Sequence, residues 1–412
     1  MIYVHVPFCR SFCTYCDFYS EVTSRCDDAW SDFSDALARE AEARACEMNG
    51  EVNTLYIGGG TPSVLPLSVF EDLSFALQRA GQGAPFDEFT VEVNPDDVVR
   101  KGQAYIEGLL KLGVNRISMG VQSFDDGILR WMNRRHDSAT ARKAYAILED
   151  AGVGNISIDL IFGLPQLSDM VWRKTLMQAL DISEHGVVPK HISSYQLSVE
   201  PGSALARMVE RGQWTEASDE KCERQYDILC ETLESAYGYH HYEISNFAQP
   251  GYEAMHNSAY WRHVPYVGLG PGAHSLSIYR SINSDAPRMH GQHDCHHVSA
   301  GQAPGLDLAT GETSEDVYVR QWNEPDLKQY LKDPLSAQGR EILTSDQVMI
   351  ERVMLGLRTS AGLQESFLRK HCNLSLLDNA IRSGDLVRTC GSNLRIPKEK
   401  FFVSDSIISA LI

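Results

Sequence analysis

Short apolar runs alternate with longer amphipathic stretches through the first half of the chain. Residues 3–6, 55–57, 89–93, 116–119, 156–162 and 191–197 carry the density of β-branched, aromatic and aliphatic side chains that predicts six strands. Helical periodicity fills the gaps: from Asp27 or Asp28 to Met48, then 67–79, 98–112, 140–151 and 170–182, with Gly50, Gly113, Gly152 and Gly186 beyond the ends of their helices. It returns at 203–211 and 219–236. Six strand–helix units in succession predict an α/β fold with a parallel sheet. A curved sheet, a partial (β/α)6 TIM-like barrel, is its natural closure. An open doubly wound sheet has the same periodicity.

The pattern then changes. Residues 281–316 are rich in Ser, Gly, Asp, His and Pro and read as a loop insertion. Helical spacing resumes at 347–358, 364–371 and 374–382, and 386–389 and 393–396 flank a Cys390-Gly391-Ser392 turn as a hairpin. Helices followed by a small hairpin predict a C-terminal, mainly helical winged-helix-like domain without a dense basic stripe. The expected organisation is therefore a barrel over 1–240, a connecting region over 241–335 and the C-terminal domain over 336–412.

Composition narrows the function classes. The 412 residues are 43% apolar and 22% charged, ordinary for a globular protein, and the net charge is −18. Such a field disfavours nucleic acid and anionic lipid as main partners. No apolar stretch reaches the ~20 residues of a membrane-spanning helix, and the opening residues lack a signal-peptide pattern, so a cytoplasmic location is expected. Ten cysteines in a reducing compartment argue against a disulfide framework.

Three cysteines crowd into eight residues. Cys9, Cys13 and Cys16 form C-x3-C-x2-C on a loop directly after the first strand. Three thiolates can hold three irons of a [4Fe–4S] cube and leave the fourth open. Structural zinc would want a fourth ligand at close spacing, and none is evident. The other strand ends also carry chemistry: Gly58-Gly59-Gly60-Thr61 after the second, Glu92 in the third, Gln122 after the fourth, Asp159 in the fifth and Gln196 in the sixth. In (β/α) barrels the site lies at this rim. Each residue alone also has a bland reading, as a turn glycine or a solvated carboxylate; Arg134 alone reads as a helix-end cation.

Together, Y-x-H-x-P-F-C-x3-C-x2-C, GGGTP, EVNP, SMGVQSF, NR and IDLIFGLP resemble the radical S-adenosylmethionine (SAM) family of oxygen-independent coproporphyrinogen III oxidase, over nearly the whole chain except about 281–335. Within it the chain looks most similar to the HemW-type heme chaperone branch. The oxidase continues its triplet as C-x3-C-x2-C-x-C, whereas Phe18 stands here, and only eight residues precede Cys9. The stretch from His256 to Trp261 resembles the H-N-x-x-Y-W motif associated with heme binding in that branch.

The resemblance implies a [4Fe–4S] cluster on Cys9, Cys13 and Cys16, and SAM held by Tyr3, Gly59 and Glu92. Tyr15, Gly60, Thr61, Gln122, Arg134 and Asp159 match a second SAM site of the oxidase. Tyr15 replaces a Phe there and Gln196 a small residue. His256 is the implied heme contact. Implied partners are heme, an acceptor hemoprotein of respiratory-chain type and an electron donor such as a flavodoxin; a homodimer is allowed. Two functions stay open: a heme carrier, or an enzyme that decarboxylates coproporphyrinogen propionates with a 5′-deoxyadenosyl radical. A third, RNA modification, shares only the triplet. His290, His293, Cys295, His296 and His297 form an exposed-looking cluster that is not read as a site.

Overall fold

The period-two alternation of the strands builds one nine-stranded sheet. The computed structural model describes residues 1–22, 29–83, 85–279, 316–389 and 391–412. The expected helix start at Asp27 or Asp28, nearly all of the 281–316 insertion with its His and Cys cluster, and the turn residue Cys390 lie outside the described residues. Strands β1 (Ile2–Val6), β2 (Thr54–Gly59), β3 (Glu88–Val93), β4 (Arg116–Gln122), β5 (Ile156–Phe162) and β6 (His191–Gln196) stand side by side in chain order, each parallel to the next. These are the six strands that the hydrophobic pattern predicts.

Three further strands extend the sheet. A hairpin of β7 (His240–Glu243) and β8 (Asn246–Ala248) adds antiparallel to β6, and β9 (Val267–Leu269) adds parallel to β1. The order is β9-β1-β2-β3-β4-β5-β6-β8-β7, so the sheet stays open between β9 and β7 and forms a partial barrel. Val4, Leu55, Ile57, Val91, Ile117, Met119, Ile158 and Leu160, all at most 1% exposed, sit in the main apolar core with residues of the surrounding helices. Burying such side chains contributes about 1.5–3 kcal/mol each. Asn94, Asp125, Asp137, Ser168, Ser203 and Ser218 cap the following helices with side-chain acceptors.

Two helix expectations change. The first helix runs over Ala29–Ala43 and tightens to a 3-10 turn at Ala45–Met48. The helix expected at 98–112 is two, Pro95–Lys101 and Gln103–Lys111, because Gly102 adopts φ +72° and ψ −176° and breaks the ladder between them. A short helix, Asp126–Trp131, had no expectation.

A three-stranded antiparallel sheet, His274–Tyr279, Val317–Asn323 and Gln338–Ile342, carries the segment 280–315 between its first two strands. It is tied to the barrel through the fully buried Glu40, which accepts from Asn323 Nδ2 (2.8 Å), Tyr330 Oη (2.7 Å) and Gly270 N (2.9 Å) and pairs with Arg44. The C-terminal part then follows winged-helix order. Helix Ser345–Leu357 leads to strand Leu363–Gln364, helices Glu365–His371 and Leu374–Ser383, and hairpin strands Val387–Arg388 and Asn393–Arg395. Its Val353, Leu357, Leu368 and Phe401 belong to the same apolar core as the barrel, and Phe401 meets the His241 ring edge-on. Among the described residues no helix is long and apolar enough to cross a membrane.

Candidate functional site

Closed (β/α) barrels usually fill their interior with branched apolar side chains. Here the inward positions are mostly polar: Thr54 and Tyr56 on β2, Glu92 on β3, Arg116 and Ser118 on β4, Asp159 on β5, His191 and Ser193 on β6. The result is a cavity of about 760 Å³ inside the sheet, within the size range of small-molecule sites. Cys9, Cys13 and Cys16 stand at its wall, and so do His256 and Tyr260. Every site residue expected from the sequence lines this one space: Tyr3, Tyr15, Gly59, Gly60, Thr61, Glu92, Gln122, Arg134, Asp159 and His256 with the three cysteines.

The cysteine loop is pinned by backbone and side-chain bonds that do not involve sulfur. Thr14 donates its N–H to Met132 O (3.1 Å) and its hydroxyl to Trp131 O (2.8 Å), and Asn133 Nδ2 donates to Phe12 O (2.7 Å). Arg10 pairs with the fully buried Asp97 at 3.5 Å. The three thiols are free. Thr61 Oγ1 lies 3.3 Å from Cys9 Sγ, and Arg134 Nη1 lies 3.4 Å from Cys13 Sγ. Burial pushes the Cys16 thiol up to about 12 and also raises Cys9. The sulfurs do not converge within the 4.8 Å of one another that one shared ion would need. Three thiolates on one loop are a donor set for three irons of a cube with the fourth left open.

The glycine loop abuts the cysteine loop. Gly60 N donates to Val6 O (2.8 Å) and Thr61 N to Phe8 O (2.7 Å). Gly59 has φ +103°, and a Cβ there would meet His5 Nδ1 at 2.5 Å. His5 in turn receives Tyr3 Oη–H at Nδ1 (3.0 Å) and faces Tyr19 O through Nε2 (2.9 Å). Glu92 accepts from Tyr56 Oη (2.6 Å), and burial lifts its carboxyl to about 7. Asp159 accepts from Ser118 Oγ at 3.1 Å, and burial raises its pKa too. Gln122 holds the left-handed φ +69° at an irregularity in the β4–β5 register between Gly120 and Gln122. A non-glycine residue so placed costs about 1–3 kcal/mol and clusters at functional sites.

His256 is on the helix Met255–Trp261, whose first N–H groups bind Glu88: Met255 N to Oε2 (2.8 Å) and His256 N to Oε1 (3.0 Å). Its ring is 1% exposed, with Nδ1 2.8 Å from Thr54 Oγ1 and Nε2 3.1 Å from Tyr260 Oη. Burial lowers it to about 3, so it is neutral across the physiological range. Sequence reasoning did not single out His5, Tyr56, Arg116 or His191. The signal was present as every-second-residue polarity, Thr54-x-Tyr56, Arg116-x-Ser118 and His191-x-Ser193, inside otherwise apolar strands.

The family model described as the radical SAM superfamily matches residues 3–179. The heme chaperone HemW of Synechocystis sp. is 37% identical over 365 residues, covering 88% of this chain and 78% of that protein. HemW of Bacillus subtilis is 34% identical over 284 residues, 68% of this chain and 72% of its own length. Among solved structures, the coproporphyrinogen III oxidase HemN of Escherichia coli superposes with a TM-score of 0.73 over 99% of this chain and 89% of that one, at 21% identity, which shows a shared fold. Fold and rim motifs thus define a radical SAM protein. Within that superfamily, the chain belongs to the family of the HemW heme chaperones.

Proposed function

We propose that this protein is a heme carrier: it binds heme, holds it and passes it to an acceptor hemoprotein, with a [4Fe–4S] cluster on Cys9, Cys13 and Cys16 and SAM beside it. The observation that carries the reading is the 37% identity with a heme chaperone over 88% of the chain. Two features of the chain support it. Phe18 stands where the oxidase pattern has a further cysteine, and the His256–Trp261 stretch opens into the same cavity as the triplet.

The bound cluster supplies an electron and one open iron for SAM. The chain's residues supply position. Tyr3 and Gly59 shape the wall, and Glu92 offers a carboxylate to a cationic or hydroxyl group of SAM. Glu92 titrates near 7 in the folded protein, above its ordinary 4.5. Its contribution to folding is therefore fully present below about 4.5 and is lost as pH rises through about 7. Only the ionised form pairs with an ammonium group. SAM affinity of the reconstituted protein is expected to rise several-fold between about pH 6 and 8, and to lose that slope in Glu92→Gln, as read by calorimetric titration. A flat wild-type profile would remove Glu92 from the SAM site.

His256 offers a neutral imidazole, a common axial ligand of heme iron. Ligation through Nε2 exchanges the Tyr260 hydrogen bond for a metal bond. Titration with hemin is expected to give a saturable Soret shift that weakens at least tenfold in His256→Ala. Equal titrations for the two proteins count against His256. An anaerobic incubation with dithionite, SAM and coproporphyrinogen III separates the carrier from the enzyme: the carrier leaves the propionates intact, whereas protoporphyrinogen overturns the reading.

A further inference from the structure

Arg116 is a buried charge of the cavity with no part in holding the cluster or SAM. Arg116 opens β4 and lines the cavity together with Tyr56, Asp159 and His191. It is 3% exposed. Its Nε is buried without a hydrogen-bond partner, and among the described residues its guanidinium makes no ion pair or side-chain hydrogen bond. Burial by itself disfavours the charge, but Glu88 and the other groups around it hold the guanidinium above its ordinary pKa, so it stays charged inside the cavity.

The groups that face it are Glu88, Asp159, Tyr56 and Tyr242. Each is otherwise engaged. Glu88 accepts two backbone N–H groups from the helix Met255–Trp261. Asp159 accepts from Ser118, and Tyr56 donates to Glu92. Tyr242 Oη lies 2.8 Å from His191 Nε2. The neighbours therefore offset the charge at a distance, and the fork of donors stays free. A planar guanidinium with free donors in a dry pocket is the arrangement that binds a carboxylate, often through two parallel bonds.

We infer that Arg116 is a carboxylate-binding residue of the cavity, and that the carboxylate it takes is a propionate of a tetrapyrrole. The inference rests on the heme-carrier reading and goes beyond it by naming what the protein recognises besides iron. His256 and Arg116 line the same cavity, so one tetrapyrrole meets an imidazole and a guanidinium there. The amino-acid end of SAM is the other source of a carboxylate.

The test compares hemin, protoporphyrin IX and the dimethyl ester of hemin, with SAM as a separate titration, on reconstituted full-length wild type, Arg116→Gln and Arg116→Lys. Wild type is expected to bind hemin at least tenfold tighter than its dimethyl ester. Arg116→Gln is expected to bind hemin and ester alike, Arg116→Lys to recover part of the preference, and SAM affinity to change by less than about twofold. Protoporphyrin IX, with both carboxylates and no iron, is expected to keep the dependence on Arg116 and to lose that on His256. Arg116→Gln also removes the charge that Glu88 and Asp159 face, so its ligand-free melt is read beside that of Arg116→Lys, which keeps that charge, to separate a change in fold from loss of the carboxylate contact.

Several results overturn the inference. Equal wild-type affinity for hemin and its ester does so without any variant, and leaves the carrier reading intact. A tenfold loss of SAM affinity in Arg116→Gln with an unchanged hemin–ester preference assigns the residue to SAM instead. Failure of wild type to bind any tetrapyrrole ends both the inference and the reading under it.

Discussion

Serine in place of Cys9, Cys13 and Cys16 together is expected to leave a colourless protein after anaerobic reconstitution, with iron and sulfide at background. The oxygen of serine is a poor substitute for thiolate toward the soft irons of a cluster. The loop that bears the cysteines is held by Thr14, Asn133 and Arg10, none of which bonds through sulfur. The variant is therefore expected to keep its far-ultraviolet dichroism, so that loss of colour reports loss of ligands rather than loss of fold. Cys46 is exposed and distant in sequence from the triplet, which makes Cys46→Ser the matched control with full iron content. Full iron and sulfide in the triple variant would falsify the ligand assignment.

The parts of the fold that were legible in the sequence are those with many residues per signal. β1 to β6 are five to seven residues long, and glycines close several of the helices between them. The hairpin β7–β8 and the strand β9 are three or four residues each, too short for a period to register. Gly102 was visible, but a lone glycine in a helical pattern does not say whether the chain turns there; its positive φ is a property of the packed structure.

The site divides in the same way. The cysteine triplet and the glycine loop are contiguous, so their chemistry is written in one place. The deeper cavity is not. Thr54 and His256 are 202 positions apart, and Arg116 meets its neighbours only through the strand register Thr90↔Arg116 and Ile117↔Ile156. Neither spacing nor composition holds that information. It appears once the strands are aligned, when the polar alternate positions of β2, β4, β5 and β6 fall into one space.

That alignment also sets the second large expectation, at Gly59. Its φ of +103° is strained for any side chain, and its Cβ direction points at the His5 ring, 2.5 Å from Nδ1. His5 has no slack, since Tyr3 holds one nitrogen and the Tyr19 carbonyl the other. Gly59→Ala therefore adds overpacking of about 1–3 kcal/mol to a backbone cost of about 1–2 kcal/mol. Gly81 separates the two: it also has positive φ, +80°, but a Cβ there meets nothing within 4 Å. Gly81→Ala is expected to carry the backbone cost alone and to leave SAM binding unchanged. Gly59→Ala is expected to melt lower than Gly81→Ala by several degrees and to bind SAM at least tenfold more weakly. The reason is that displacing His5 also displaces the Tyr3 hydroxyl bonded to it, which the proposed function puts beside SAM. Paired calorimetric melts and SAM titrations decide it. If the two variants melt alike, the contact with His5 is not tight; if Gly59→Ala binds SAM normally, the glycine loop does not hold the cofactor.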